Sequence, residues 1–147
     1  MPLYFAYGAN MDREAMASRC PRSRPLGRAR LARHRLFLMA DGFASVAPEP
    51  KSFVHGVLWD LASSDVAPLD RFEEVGRGRY RKIVQPVLRE PFGAARALIY
   101  VGVEGLKGPH LPGYMQGVVA AARDWELPPA YVAYLEALAE PARRTQS

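Results

Sequence analysis

Two stretches of this chain carry residue types suited to chemistry. The first is Leu3-Tyr4-Phe5-Ala6-Tyr7-Gly8-Ala9-Asn10, an apolar and aromatic run that ends on glycine, alanine and asparagine. Gly8 and Asn10 both tolerate positive φ, so successive backbone N–H groups there can converge on one concavity. Such a nest binds a carboxylate or a phosphate, and a helix N-terminus directly after it adds to the attraction. Taken alone, four residues of this kind fit an ordinary strand-to-helix turn better.

The second stretch is Leu69-Asp70-Arg71-Phe72-Glu73-Glu74-Val75-Gly76-Arg77-Gly78-Arg79-Tyr80, a helix ending in carboxylates just before a glycine-rich turn. A carboxylate at a helix C-terminus faces the negative end of the dipole, which raises its pKa. A raised pKa is what a carboxylate needs to move protons near neutrality. Glu73 lies four residues after Leu69, on the apolar side of the helix, and is expected to point inward. Glu74 is then expected to face solvent.

Little else competes with these two stretches. His34, His55 and His110 show no metal-ligand spacing, and no carboxylate pairs with them in sequence, so no metal site is expected. Phosphate-loop, dinucleotide and nucleophile-elbow patterns are absent. Cys20, the single cysteine, sits between Arg19 and Pro21 and reads as loop rather than nucleophile. A lone cysteine also argues against a disulfide framework and for a reducing, cytoplasmic setting.

The formal charge of +5 is carried mainly by arginine, with eight arginines between Arg13 and Arg35. Such a run invites a nucleic-acid reading. The local pattern argues against it, because Arg28, Arg30, Arg33 and Arg35 interleave with Leu31, Leu36, Phe37 and Leu38 as the wet side of half-buried strands. A modestly positive surface also suits a small anionic substrate. No run approaches the roughly 18 apolar residues of a membrane span, and the N-terminus lacks a secretory signal pattern.

The elements that must position these residues follow from periodicity. A strand over residues 3–7 leads into a short helix through Arg19, capped by Asn10 or Asp12. Residues 20–25 read as loop. Strands are expected over 27–30 and 35–40, with a turn at Asp41-Gly42. Another short strand over 44–47 is ended by Pro48 and Pro50, and residues 53–61 form the clearest strand of the chain. Ser63 or Ser64 caps a helix through Glu73, with Val66, Leu69 and Phe72 on its inner side. Residues 80–88 and 94–101 pair across Pro91-Phe92-Gly93, and helices over 111–123 and 128–138 close the chain. With 147 residues of which 49% are hydrophobic, one domain over residues 1–142 is expected, followed by a flexible tail over 143–147. Strands joined by short turns point to an α+β fold, a mixed and mostly antiparallel sheet curled into a small barrel with flanking helices.

These residues, taken together, resemble the γ-glutamylcyclotransferase-like family. Tyr7-Gly8-Ala9-Asn10 looks like its Tyr-Gly-Ser-Asn signature. Gly56-Val57-Leu58-Trp59, Leu69-Asp70, Glu73, Gly78 and Tyr80 resemble its middle block. Tyr114 and Leu127-Pro128-Pro129-Ala130-Tyr131 resemble its closing block. The resemblance implies a cofactor-free reaction in which the α-amine of a γ-glutamyl compound attacks its own γ-carbonyl. The products are 5-oxoproline and a freed amine or amino acid. It further implies Glu73 as general acid/base, Tyr7, Gly8, Ala9 and Asn10 as the loop holding the substrate α-carboxylate, and Tyr114 in the pocket wall. Such an enzyme acts on a small γ-glutamyl molecule as a monomer or homodimer, with no membrane or nucleic-acid partner. Two positions depart from the family: Ala9 replaces a serine hydroxyl, and Glu74 stands where glycine is common. Ala9 motivates a rival reading, a binding protein that keeps the γ-glutamyl pocket without the chemistry.

Overall fold

The computed structural model describes residues 2–40, 42–90, 93–103 and 113–139. Asp41, Pro91, Phe92, His110, Leu111 and the tail over 143–147 lie outside the described residues, with the expectations attached to them.

Five strands close into a barrel in the order β1-β3-β2-β4-β5. Strand β1 is Leu3–Ala6, β2 Arg24–Leu38, β3 Ala44–Asp60, β4 Tyr80–Arg89 and β5 Ala94–Gly102. Four pairings are antiparallel, and β1 with β5 is parallel, joined at Tyr4 opposite Leu98. The expected mixed, mostly antiparallel barrel is therefore the observed fold. Helices α1 (Arg13–Arg19), α2 (Val66–Phe72), α3 (Tyr114–Asp124) and α4 (Pro129–Leu138) flank it. Among the described residues, no helix is long and apolar enough to cross a membrane.

Strands expected as four short pieces are two long ones. Residues 24–38 form one strand because pairing with β3 resumes past an irregularity: Ala32 faces Phe53 and His34 faces Pro48, so Arg33, with φ 62, stands opposite the unpaired β3 residues 49–52. A second slip near Gly27 extends the strand back into residues expected as loop. Pro48 and Pro50 likewise do not end β3. That strand pairs with β1 only over Val57–Asp60, so earlier in β3 the missing proline donors can face an edge that no described strand occupies.

Alternation along these strands fills the barrel with Phe5, Leu31, Leu36, Val54, Leu58, Val87 and Ile99, all buried. Closure brings β3 so near β1 that a Cβ on Gly56 would lie 2.3 Å from the Ala6 carbonyl oxygen, which only glycine allows. Burying one such apolar side chain contributes roughly 1.5–3 kcal/mol. Helix α3 lays Val118 and Ala122 against the barrel and α4 adds Leu135.

Two helix starts differ from expectation. Asp12, not Asn10, caps α1, accepting from the Ala15 N–H at 2.9 Å. Neither Ser63 nor Ser64 caps α2; residues Ser63–Asp65 form a 3-10 turn, and α2 starts later, at Val66. The carboxylate that could have capped it, Asp65, is bonded instead to the Arg22 N–H and the Ser23 hydroxyl, each at 2.9 Å. Phe72, expected on the inner side of α2, is 42% exposed with Arg19 stacked over its ring at 3.7 Å.

Candidate active site

Where β1 leaves the barrel, Ala9–Met11 wind one 3-10 turn, held by Met11 N–H to the Gly8 carbonyl at 3.0 Å and Asp12 N–H to Ala9 at 3.2 Å. The left-handed backbone that these residue types tolerate is not adopted: Gly8 has φ −126, and Asn10 lies inside the turn. A short 3-10 turn offers its leading donors without positive φ, because the N–H groups of Ala9 and Asn10 precede its first internal bond. The turn is clamped from behind, where the Trp125 indole donates to the Met11 carbonyl at 2.7 Å. Arg13 stacks on Trp125 and pairs with Asp124.

Across from this turn, α2 ends at Glu73, whose own N–H bonds the Leu69 carbonyl at 3.0 Å. Glu73 and the whole run Tyr7, Gly8, Ala9 and Asn10 line one partly enclosed cavity of about 250 Å³. That is near the small end of ligand sites. The Asn10 amide donates to the Tyr4 hydroxyl at 3.1 Å and reaches the Glu73 Oε1 at 3.4 Å. Aromatic side chains make up most of the remaining wall, Tyr4, Tyr80, Tyr100, Tyr114, Phe43 and Phe72.

Burial pushes the Glu73 carboxyl up to about 7; the Arg19 charge opposes that rise and the Glu74 charge adds to it. The long Asn10 contact offers little compensation for lost water. Burial also raises the hydroxyls of Tyr4, Tyr7 and Tyr100, so all three stay neutral around Glu73. The site is a low-dielectric chamber with one proton-carrying carboxyl.

Tyr7 lines the cavity, but its hydroxyl donates away from it, to the Tyr100 carbonyl at 2.6 Å. Tyr114 closes the opposite side. Its hydroxyl accepts from the Ala44 N–H at 3.4 Å, and its ring meets Phe43 edge-on at 4.9 Å. A Cβ on Gly8 would lie 2.9 Å from that hydroxyl, so the glycine lets Tyr114 approach closely and is not there for positive φ.

Glu74 does not simply face solvent. It adopts φ 52, bonds Arg77 at 3.1 Å and Arg79 at 3.2 Å, and contributes to the cavity wall. The left-handed backbone explains why glycine suits the position; the two ion pairs offset the strain that a glutamate incurs. Arg79, Tyr4, Phe43 and Tyr100 were not legible as site residues. They are scattered over β1, β5 and the segments before β3 and β4, and only barrel closure brings them together. Tyr80 carried a signal, its place in the middle block, and its hydroxyl donates to the Ala44 carbonyl at 3.0 Å.

Cys20 is buried away from the cavity lining, and burial raises its thiol to about 11, which suppresses the thiolate a nucleophile needs. Among the described residues, no group of three or more His, Cys, Asp or Glu side chains is placed to hold a metal ion.

Comparison with known proteins bears on the same residues. The model of a family described as "Gamma-glutamyl cyclotransferase, AIG2-like" matches residues 4–126. A solved structure described as a gamma-glutamyl cyclotransferase is similar at 27% identity and TM-score 0.83, covering 92% of this chain and 86% of its own. An uncharacterized protein from Homo sapiens is similar at 28% identity and TM-score 0.81, with the same coverage of both chains. YkqA from Bacillus subtilis shares the fold at 20% identity and TM-score 0.78, over 95% of this chain and 54% of that one. No protein of curated function matches the sequence significantly.

Proposed function

Because the chain belongs to the γ-glutamyl cyclotransferase, AIG2-like family, we propose that it cyclises γ-glutamyl compounds, releasing 5-oxoproline and a free amine or amino acid. One observation carries this reading: Glu73, with its carboxyl near 7, faces the Tyr7–Asn10 turn across a cavity of about 250 Å³. The proposed substrate binds with its α-carboxylate at the leading N–H groups of Ala9 and Asn10. Gly8 gives the turn its clearance from Tyr114, and Tyr7 and Tyr114 wall the glutamyl chain. This folds the chain so that its α-nitrogen approaches its γ-carbon.

In the proposed reaction, ionised Glu73 takes a proton from the α-ammonium. The freed amine adds to the γ-carbonyl and forms the five-membered ring. Glu73 then returns its proton to the leaving nitrogen as the original amide C–N bond breaks, and the ring nitrogen gives up its second proton through the same carboxylate to the freed amine, which departs as an ammonium. One carboxyl suffices because attacking and leaving nitrogens are borne by the same carbon in turn. The reacting groups are already tethered, so restricting the chain to a compact rotamer supplies much of the acceleration. A carboxyl near 7 exchanges protons in both directions at neutral pH, and no cofactor is called for. The single buried thiol of Cys20 suits a cytoplasmic setting for this activity.

The test is incubation with γ-glutamyl dipeptides and γ-glutamyl alkylamides, with 5-oxoproline measured by mass spectrometry. Release is expected, and Glu73→Gln is expected to reduce it by roughly 10²–10⁴-fold, the range for a lost general acid/base. Tight ligand binding with no product in the wild type would favour a binding protein instead; normal turnover in Glu73→Gln would remove Glu73 from its role.

A further inference from the structure

The cavity wall holds a device that the reaction described above does not use. Arg19, in the last turn of α1, donates from Nη1 to the Asn10 Oδ1 at 2.5 Å, while its guanidinium stacks on Phe72 of α2 at 3.7 Å. An asparagine amide has one accepting and one donating end. With the guanidinium bonded to Oδ1, the donating end must turn the other way. There it meets the Tyr4 hydroxyl at 3.1 Å and the Glu73 carboxyl at 3.4 Å. Asn10 itself is 2% exposed, so no water competes for the choice.

We propose that Arg19 is a positioning residue for this site, fixing the flip of the Asn10 amide so that its donor faces Glu73, and placing the compensating positive charge behind that carboxyl. The inference rests on the cyclotransferase reading for its catalytic meaning, but its physical content, the state of Glu73, can be measured without turnover.

The surroundings of Glu73 leave this role to Arg19. Tyr4 and Tyr7 face it from the end of β1, Tyr100 from β5 and Tyr80 from β4. The Tyr100 hydroxyl is bonded to Asp70, which Lys82 also pairs at 2.9 Å. Glu74 adds a like charge from the same segment, and Arg79 is ion-paired with Glu74 at 3.2 Å. Arg19 is the cation whose field opposes the rise that burial imposes on Glu73. A plain ion pair would have held the carboxyl fully ionised; a cation acting through one intervening amide leaves it poised near neutrality. The stack on Phe72 fixes the plane of the fork, which lysine cannot imitate.

The experiment is a pH titration of the Glu73 side-chain carboxyl by carbon NMR on protein labelled at glutamate Cδ, with Glu73→Gln identifying the resonance. Wild type is expected to titrate near 7. Arg19→Met, which keeps the apolar stem and loses charge and donor, is expected to titrate at higher pH. Each unit of upward shift lowers the ionised fraction roughly tenfold at a given pH below the midpoint. Arg19→Lys is expected to stay closer to the wild-type midpoint while the Asn10 side-chain amide resonances move or broaden. It also serves if Arg19→Met does not fold. An unmoved Glu73 midpoint in Arg19→Met, or an unperturbed Asn10 amide in Arg19→Lys, would overturn the proposal. Absence of 5-oxoproline from the wild type would instead count against the cyclotransferase reading, and the titration would still decide the role of Arg19.

Discussion

The two ends of α2 carry two carboxylates handled in opposite ways, Asp65 buried and Glu73 half-buried. At the N-terminal end, Asp65 is 4% exposed and receives both the Arg22 N–H and the Ser23 hydroxyl at 2.9 Å. That serine in turn accepts from the Ala62 N–H at 3.0 Å, so the carboxylate stitches the start of β2 to the helix. At the C-terminal end, Glu73 has one amide contact, at 3.4 Å, and an open side toward the cavity. Burial alone therefore does not make a carboxylate functional. What distinguishes the two is the supply of donors: two short bonds to one oxygen make Asp65 a structural tie, and a single long contact leaves Glu73 able to hold a proton.

The sharpest way to break this contrast is to remove each carboxylate in turn. Asp65→Ala removes the one oxygen that both the Arg22 N–H and the Ser23 hydroxyl bond, leaving them without their acceptor, and is expected to destabilise the fold by about 2–3 kcal/mol. Denaturant unfolding would show it, while 5-oxoproline release at saturating substrate stays near wild type. Glu73→Gln should do the reverse. A carboxyl raised from 4.5 to about 7 on folding contributes stability that is fully present below pH 4.5 and lost as pH rises through 7. The wild type thus pays a penalty above neutrality that glutamine escapes. Glu73→Gln is expected to be more stable than wild type by about 2 kcal/mol at pH 8, with no difference at pH 4. Equal stability at both pH values would mean that Glu73 is better solvated than its position implies.

How much of this contrast was legible beforehand depended on the range of the interactions. Strands β4 and β5, α4 and most of α3 follow from local alternation and helical spacing, and so does the inward side of Glu73, which is set by Leu69 one turn earlier. The continuity of β2 and β3 was not legible. Arg33 and the two prolines look like breaks locally, and the paired strand is what carries the ladder past them. The backbone of Gly8 and Asn10 was not legible, because the residue types permit left-handed φ without requiring it. Arg19 was hidden inside an arginine run whose other members, such as Arg30, Arg33 and Arg35, are indeed exposed. Nothing in one sequence says which arginine of such a run turns inward. That depends on Phe72 and Asn10 arriving beside it, a tertiary event. The family signature pointed to residues that line one cavity; the electrostatics of that cavity came from packing.

The smallest of the expected effects tests the carboxyl next door. Glu74 occupies a left-handed position that glycine adopts without strain, and it holds Arg77 and Arg79 by ion pairs. Glu74→Gly removes backbone strain and two partly exposed ion pairs together; each is worth about 1 kcal/mol and they oppose each other, so stability should change little. It also removes the like charge that raises Glu73, so the Glu73 midpoint should move down. That displacement should be smaller than the upward one in Arg19→Met, because the arginine charge acts on Glu73 more strongly than the glutamate charge does. The same carbon NMR titration reads both. A larger effect from Glu74→Gly than from Arg19→Met would shift control of the proton from the amide relay to the adjacent carboxylate. The donor supply would then no longer be what separates the two ends of α2.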